Sequence, residues 1–238
     1  MSLGGSAMVG GVVFAKELYH FWKPRRVGIY GPAMAGKTTL DRYMTTPGEM
    51  EEIDLADRTK HFKVPGLNRF LLPRASRKRV GWKGDKRVVY SADIAGEDRF
   101  WNLWVDDMVT RQVEAIIFLF DNRATKGGDA AVQAVGGFKF LVDSILHKQY
   151  RYRNLRSRWK GKRYAPKVIM LVANKADEWW DDPANILWQQ QRLGEHRIFD
   201  AFRDDLIRLQ KAGIPTKRGM MATKIGWNVE NTMIDLLT

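Results

Sequence analysis

Residues 26–40 read RVGIYGPAMAGKTTL. A short apolar, β-branched run ends in a glycine-bracketed turn, and a helix-forming pattern follows. An ordinary strand-to-helix turn could hold two glycines by chance. Positions 31–38, GPAMAGKT, nonetheless satisfy G-x-x-x-x-G-K-[ST] in full. The spacing has a mechanism. Gly31 and Gly36 let the backbone wrap closely, so that successive N–H groups of Ala33, Met34, Ala35, Gly36 and on to Thr39 can face phosphate oxygens. Lys37 brings a cation to the β- and γ-phosphates, Thr38 a hydroxyl for Mg²⁺, and the following helix its positive N-terminus. The stretch predicts a strand, a phosphate loop and a helix, but leaves ATP and GTP equal.

The rest of the chain repeats the alternation. Strands are predicted at 26–30, 86–93, 114–121, 167–174 and 219–223. The segment 62–72 is predicted as an edge or bulged strand because Pro65 and Gly66 interrupt it. Helices are predicted at 37–46, 98–110, 128–149 and 228–237, with one or two more within 184–211. EAIIFLFD (114–121) and KVIMLVAN (167–174) are continuous apolar runs, as strands buried on both faces require. The alternation predicts an α/β fold with helices on both faces of the sheet.

Further motifs fall at the predicted strand ends. SADIAGEDRFW (91–101) contains D-x-x-G: Asp93 would reach Mg²⁺ through water, and the Gly96 N–H would meet the γ-phosphate. VANKADEWW (172–180) contains N-K-x-D. Guanine shows two adjacent donors, N1–H and its 2-amino group, which one carboxylate, Asp177, accepts together. Adenine shows an acceptor at N1 and would leave that carboxylate unpaired, a large penalty in a closed site. Lys175 can lie along the purine face, and Asn174 can tie its loop to the phosphate loop. MATKIGW (221–227) places Ala222, Thr223 and Lys224 in a short loop for the base. The motifs occur in one chain order at carboxyl ends of strands, where open α/β sheets bind ligands. They favour GTP over ATP, which shares only the phosphate loop.

On these motifs the chain resembles the Ras-like small GTPases across about residues 25–238. It looks most like the ADP-ribosylation-factor branch and the related beta subunit of the signal-recognition-particle receptor. DIAGEDRFWNLW (93–104), with Trp104 in the helix after D-x-x-G, carries that finer similarity. The resemblance implies a P-loop NTPase with a six-stranded, mostly parallel sheet, GTP/GDP cycling with Mg²⁺, and regulatory or effector proteins. It implies a switch threonine before the second strand, for which Thr59 is the candidate alongside Thr38 and Asp93 as metal ligands. It also exposes a departure. The residue after D-x-x-G, commonly the Gln that orients the attacking water, is Glu97. Glu97 and Lys37 are then the candidate catalytic residues, with slow hydrolysis expected. A nucleotide-holding scaffold that barely turns over is the alternative. Ser2 follows Met1, so the N-myristoylation signal of the resembled branch is missing.

Composition adds two anion-seeking patches. The net charge is +13 over 238 residues, but residues 60–87 hold ten Lys/Arg against Asp85, and residues 148–167 hold nine against none. The remainder is net acidic, so the positive charge is local. The first patch, chiefly 74–87, together with the apolar extension 1–24, suits an anionic membrane surface through residues 1–22. The second, read as a basic insertion at about 148–166 in a domain spanning 25–238, interleaves Tyr150, Tyr152, Trp159 and Tyr164 with arginines and suits RNA. Both also read as solvated loops. No cysteine is present, which fits a reducing, cytoplasmic setting with peripheral membrane contact as one option.

Overall fold

The computed structural model describes residues 25–45, 68–69, 89–91, 94–147 and 164–237. The extension 1–24, Thr59, Asp93, most of the 60–87 patch and the arm at 148–163 lie outside the described residues.

Strand β1 (Arg25–Tyr30) leads into helix α1 (Lys37–Thr45) through the glycine loop. Short strands β2 (Asn68–Arg69) and β3 (Val89–Ser91) come next. Helix α2 (Trp101–Arg111), strand β4 (Ala115–Phe120), helix α3 (Gly128–Leu146) and strand β5 (Val168–Ala173) follow. A single turn, α4 (Ala176–Trp179), precedes α5 (Asp182–Gln189), α6 (Arg203–Lys211), strand β6 (Thr216–Met220) and α7 (Val229–Leu237).

The expected six-stranded sheet is corrected by the ladder. Six strand segments align in the order β2-β3-β1-β4-β5-β6. The continuous parallel sheet, however, has four strands: β1, β4, β5 and β6. Beyond β1, among the described residues, two residues pair on β3 (Arg25 with Val89, Arg26 with Tyr90), and β2 runs antiparallel to β3 over two more. The physical reason lies in the flanking sequence. Both fragments border a Lys/Arg-rich stretch, whose charged side chains disfavour burial within a sheet.

The two central strands follow from their sequences. All six residues of β4 are buried. Alternation divides them. Ile116, Phe118 and Phe120 join Trp104, Phe138 and Phe202 under α2, α3 and α6. Ala115, Ile117 and Leu119 join Val27, Ile29, Leu40, Val229 and Met233 under α1 and α7. Strand β6 begins three residues earlier than its apolar run predicts. As an edge strand it needs little burial, so TKRGM pairs with β5 from Thr216 to Met220. Met221 and Ala222 then fall past the strand end, where they are buried among the loops. Tyr164, read as part of the basic arm, is 2% exposed and donates to the Val113 carbonyl at 2.8 Å. It belongs to the core.

A buried polar network ties β1 to α2. The Tyr30 hydroxyl donates to Asp107 at 2.7 Å, and Arg111 grips both Asp107 oxygens through Nε and Nη2. Burial first, then the Asp107 charge, pushes the Tyr30 phenol well above its ordinary range. Removing the carboxylate takes the counter-charge from a largely buried guanidinium. Asp107→Ala is therefore expected to destabilise the protein by about 3 kcal/mol, and Tyr30→Phe by about 1 kcal/mol, in urea unfolding. Equal, negligible losses would show that the network contributes nothing.

Candidate functional site

The glycine loop closes on its own lysine. Lys37 is 7% exposed, and its Nζ donates to the carbonyls of Gly31 (3.0 Å) and Pro32 (2.8 Å). A lysine buried this far needs such oxygens to compensate its lost hydration. Thr38 and Thr39 sit half-buried in the first turn of α1. Met34 lies at the loop's exposed apex with φ +63°. Gly36, at φ +94°, is required twice: by its backbone, and because a Cβ there would fall 2.3 Å from Asn174 Nδ2.

Asn174 is wholly buried at the end of β5. Its Nδ2 donates to Ala35 O (2.8 Å) and Thr223 Oγ1 (3.0 Å), and its Oδ1 accepts from the Thr223 N–H (3.1 Å). One side chain thus joins the loops after β1, β5 and β6. The Ala176 N–H adds a bond to Met221 O at 3.2 Å. Gly96 comes from a fourth segment. A Cβ on it would lie 2.4 Å from Gly31 O and 2.5 Å from Ala33 N, so glycine alone permits this approach. Behind it, Trp104 Nε1 donates to Ala95 O at 3.0 Å.

The remaining predicted residues divide. Asp177 is exposed, lining a cavity with Ala222. Ala222 and Thr223 are buried, while Lys224 is exposed. Glu97 is partly exposed and pairs with Arg99 at 2.8 Å. Lys175, in left-handed backbone at φ +57°, directs Nζ to Asp121 at 3.1 Å. Asp93 and Thr59 fall outside the described residues, so Thr38 is the described candidate for a metal. Among the described residues no group of three His, Cys, Asp or Glu is placed to hold an ion.

Two residues were missed by sequence reasoning. Asp121 directly follows β4 and is 3% exposed. It caps the following turn through the Arg123 N–H (3.1 Å) and binds the Arg123 guanidinium and Lys175. Arg123 Nη2 also donates to Ala33 O at 3.3 Å. Asp121 therefore links the glycine loop to the N-K-x-D loop. Its signal was legible: a carboxylate leaving the most apolar strand, at the same sheet end as the motifs. Burial raises its pKa, but the hydrogen bond from Arg123 and the charges of Lys175 and Arg123 outweigh that and hold it below the usual carboxylate range.

No protein-family model matches the chain, and no curated protein matches it. Among solved structures, the Arl6 (BBS3) small GTPase from Trypanosoma brucei, with a bound GppNp analogue, is 15% identical at TM-score 0.47, covering 90% of this chain and 95% of that one. A bacterial selenocysteine-specific elongation factor, EF-Sec, is 16% identical at TM-score 0.45 over 90% of this chain. The chain spans 29% of that factor's length. Likeness at this level assigns neither a family branch nor an activity. No helix among the described residues is long and apolar enough to cross a membrane.

Asp121 yields a pH prediction. Its folded pKa is depressed, so its stabilisation is present above the unfolded carboxylate value and is lost as pH falls through the folded one. Asp121→Asn is expected to cost about 2 kcal/mol at pH 7, less than a fully buried pair because both cations are partly exposed. The gap to the wild type should narrow as pH drops below about 4. A gap in denaturant midpoints that is unchanged across that range would contradict the assignment.

Proposed function

We propose that this protein binds a guanine nucleotide with Mg²⁺ and hydrolyses GTP slowly. The observation that carries the reading is the buried Asn174 side chain, which joins the glycine loop, the N-K-x-D loop and the A-T-K loop at one end of the parallel sheet. Ligands of open α/β sheets bind at that end. The residues present suit an anionic phosphate chain: a buried lysine, a loop that only glycine can form at position 36, and the N-terminus of α1.

In this reading Lys37 exchanges its loop carbonyls for phosphate oxygens, and the loop N–H groups orient the chain. Thr38, with Asp93 and Thr59, would hold Mg²⁺, which neutralises phosphate charge when bound. Gly96 brings its N–H beside the phosphate loop, and Asp177 accepts the two donors of guanine. Lys175 contacts the purine only in so far as its ion pair with Asp121 allows. Glu97 accounts for slow turnover. An ionised carboxylate places negative charge near the terminal phosphate and cannot donate to it, and Arg99 already pairs with it. Regulatory or effector proteins, an anionic membrane at 1–22 and 74–87, and RNA at 148–167 remain the candidate partners on sequence grounds.

The first test is to purify the protein without added nucleotide, denature it and identify what is released. GDP or GTP is expected, and ATP would refute the base assignment. Asp177→Asn should then weaken GTP binding and gain xanthosine triphosphate, whose C2 carbonyl pairs with an amide. Unchanged GTP affinity would mean that Asp177 does not read the base. Glu97→Gln should raise single-turnover GTP hydrolysis several-fold with little change in affinity, because it restores a group that both accepts and donates. A fall in rate would instead make Glu97 the working base.

A further inference from the structure

We propose that the guanine site continues past Asp177 into an indole-walled pocket, and that this pocket takes an apolar group carried on the 2-amino edge of the base. The inference rests on the guanine reading above and adds a ligand class to it.

A cavity of about 350 Å³ lies beside the two base loops. That is within the range of small-ligand sites. Asp177, Ala222, Trp180, Trp188, Asn185 and Trp227 line it. The three indoles come from separate elements: the end of α4, helix α5, and the loop before α7. Their rings meet one another, Trp227 lying 5.0 Å from Trp180 and 5.2 Å from Trp188 between centroids, and Trp180 6.3 Å from Trp188. Trp227 is fixed to the base loop itself, because its backbone exchanges both hydrogen bonds with Ala222 at 3.1 Å. Helix α5 is started firmly by Asp181, which accepts from the Ala184 N–H at 2.9 Å.

The chemistry of the wall selects the occupant. Among the described residues that line it, Asp177 is the one charged side chain, beside three indoles. Apolar aromatic walls with one carboxylate repel an anion such as a second phosphate, and accept an apolar group that enters beside N–H donors. Guanine offers Asp177 its N1–H and one hydrogen of its 2-amino group. Replacing the other amino hydrogen leaves both donors in place. Asp177, which receives them in this reading, itself lines the cavity, so a base edge that meets Asp177 lies beside the cavity as well. A substituent that a closed base pocket would reject finds indole surface here.

The test compares displacement of a fluorescent guanine nucleotide from the full chain, first stripped of nucleotide, by dGTP, by dGTP carrying a 4-butylphenyl group on the 2-amino nitrogen, and by the 2-(4-butylphenylamino) derivative of dATP. The substituted guanine is expected to bind about tenfold more tightly than dGTP through the apolar area it buries. Trp188→Ala should remove that gain while changing dGTP much less, and Trp188→Phe, which keeps an aromatic wall, should retain most of it. If dGTP binds and its substituted form binds equally or more weakly, the pocket is not continuous with the base site and the inference falls alone. If the adenine derivative gains as much as the guanine one, the effect is adhesion to indole surface, which also overturns it. If no guanine nucleotide binds, the guanine reading falls and this inference falls with it.

Discussion

One buried amide organises the working end of this molecule. Asn174 has no exposed surface, so each of its hydrogen-bonding atoms must find a protein partner or incur a desolvation penalty. It finds them in two other loops, at Ala35 and at Thr223. Those loops leave strands β1 and β6, separated from β5 by one strand on one side and adjacent on the other. The parallel sheet brings the three loop origins to one edge, and the amide fixes their relative heights. Gly36 completes the constraint, since any side chain there would occupy the place of the amide nitrogen.

Electrostatics adds a second tie between the same loops. Asp121 follows β4, which lies between β1 and β5, and holds Arg123 on the glycine-loop side and Lys175 on the other. The neutral amide and the paired carboxylate differ in how they respond to conditions. Hydrogen bonds of Asn174 do not titrate, whereas the Asp121 links weaken with acid. At low pH the bonds of Asn174, with the Ala176 N–H to Met221 O bond, keep their strength while the Asp121 links weaken. Below both lies a two-sided core in which alternate residues of β4 face opposite helix layers, so the strand ends that carry the loops are anchored from both faces.

Much of this was legible from residue type and order. The apolar runs at 114–121 and 167–174 became β4 and β5, because only strands buried on both faces carry unbroken Val, Ile, Leu and Phe. The glycine loop followed from its spacing. The expected six-stranded sheet did not survive: of the predicted segments 62–72, which Pro65 and Gly66 interrupt, and 86–93, a β-branched run, the described strands cover only Asn68–Arg69 and Val89–Ser91. The early start of β6 was hidden by its polar sequence, which an edge strand tolerates. Asp121 was passed over because no motif contains it, although its position after β4 carried the signal. Tyr164 shows the opposite error, a core residue whose tyrosine chemistry fitted an RNA-binding pattern. The three-indole pocket was beyond sequence reasoning. Trp180, Trp188 and Trp227 lie on different elements, and only the folded chain brings them together.

The structure also separates residues that build the site from residues that can report on chemistry. Asn174 and Asp121 are buried and bonded across loops, Lys37 is buried against carbonyls of its own loop, and Gly36 leaves no room for a side chain, so replacing any of them changes stability and site geometry together, and an affinity change there does not identify a ligand contact. Asp177 and Glu97 stand differently. Asp177 is exposed at the rim of a cavity, and Glu97 is partly exposed, with a neighbouring arginine as its ion-pair partner. Exposed ion pairs contribute little to folding. A substitution at either position therefore leaves the scaffold nearly unperturbed, and its effect on base preference or on turnover is a direct reading of that side chain's role. On the proposed reading, recognition and turnover would rest on surface side chains carried by a buried framework, and that division makes the two properties separable by single substitutions.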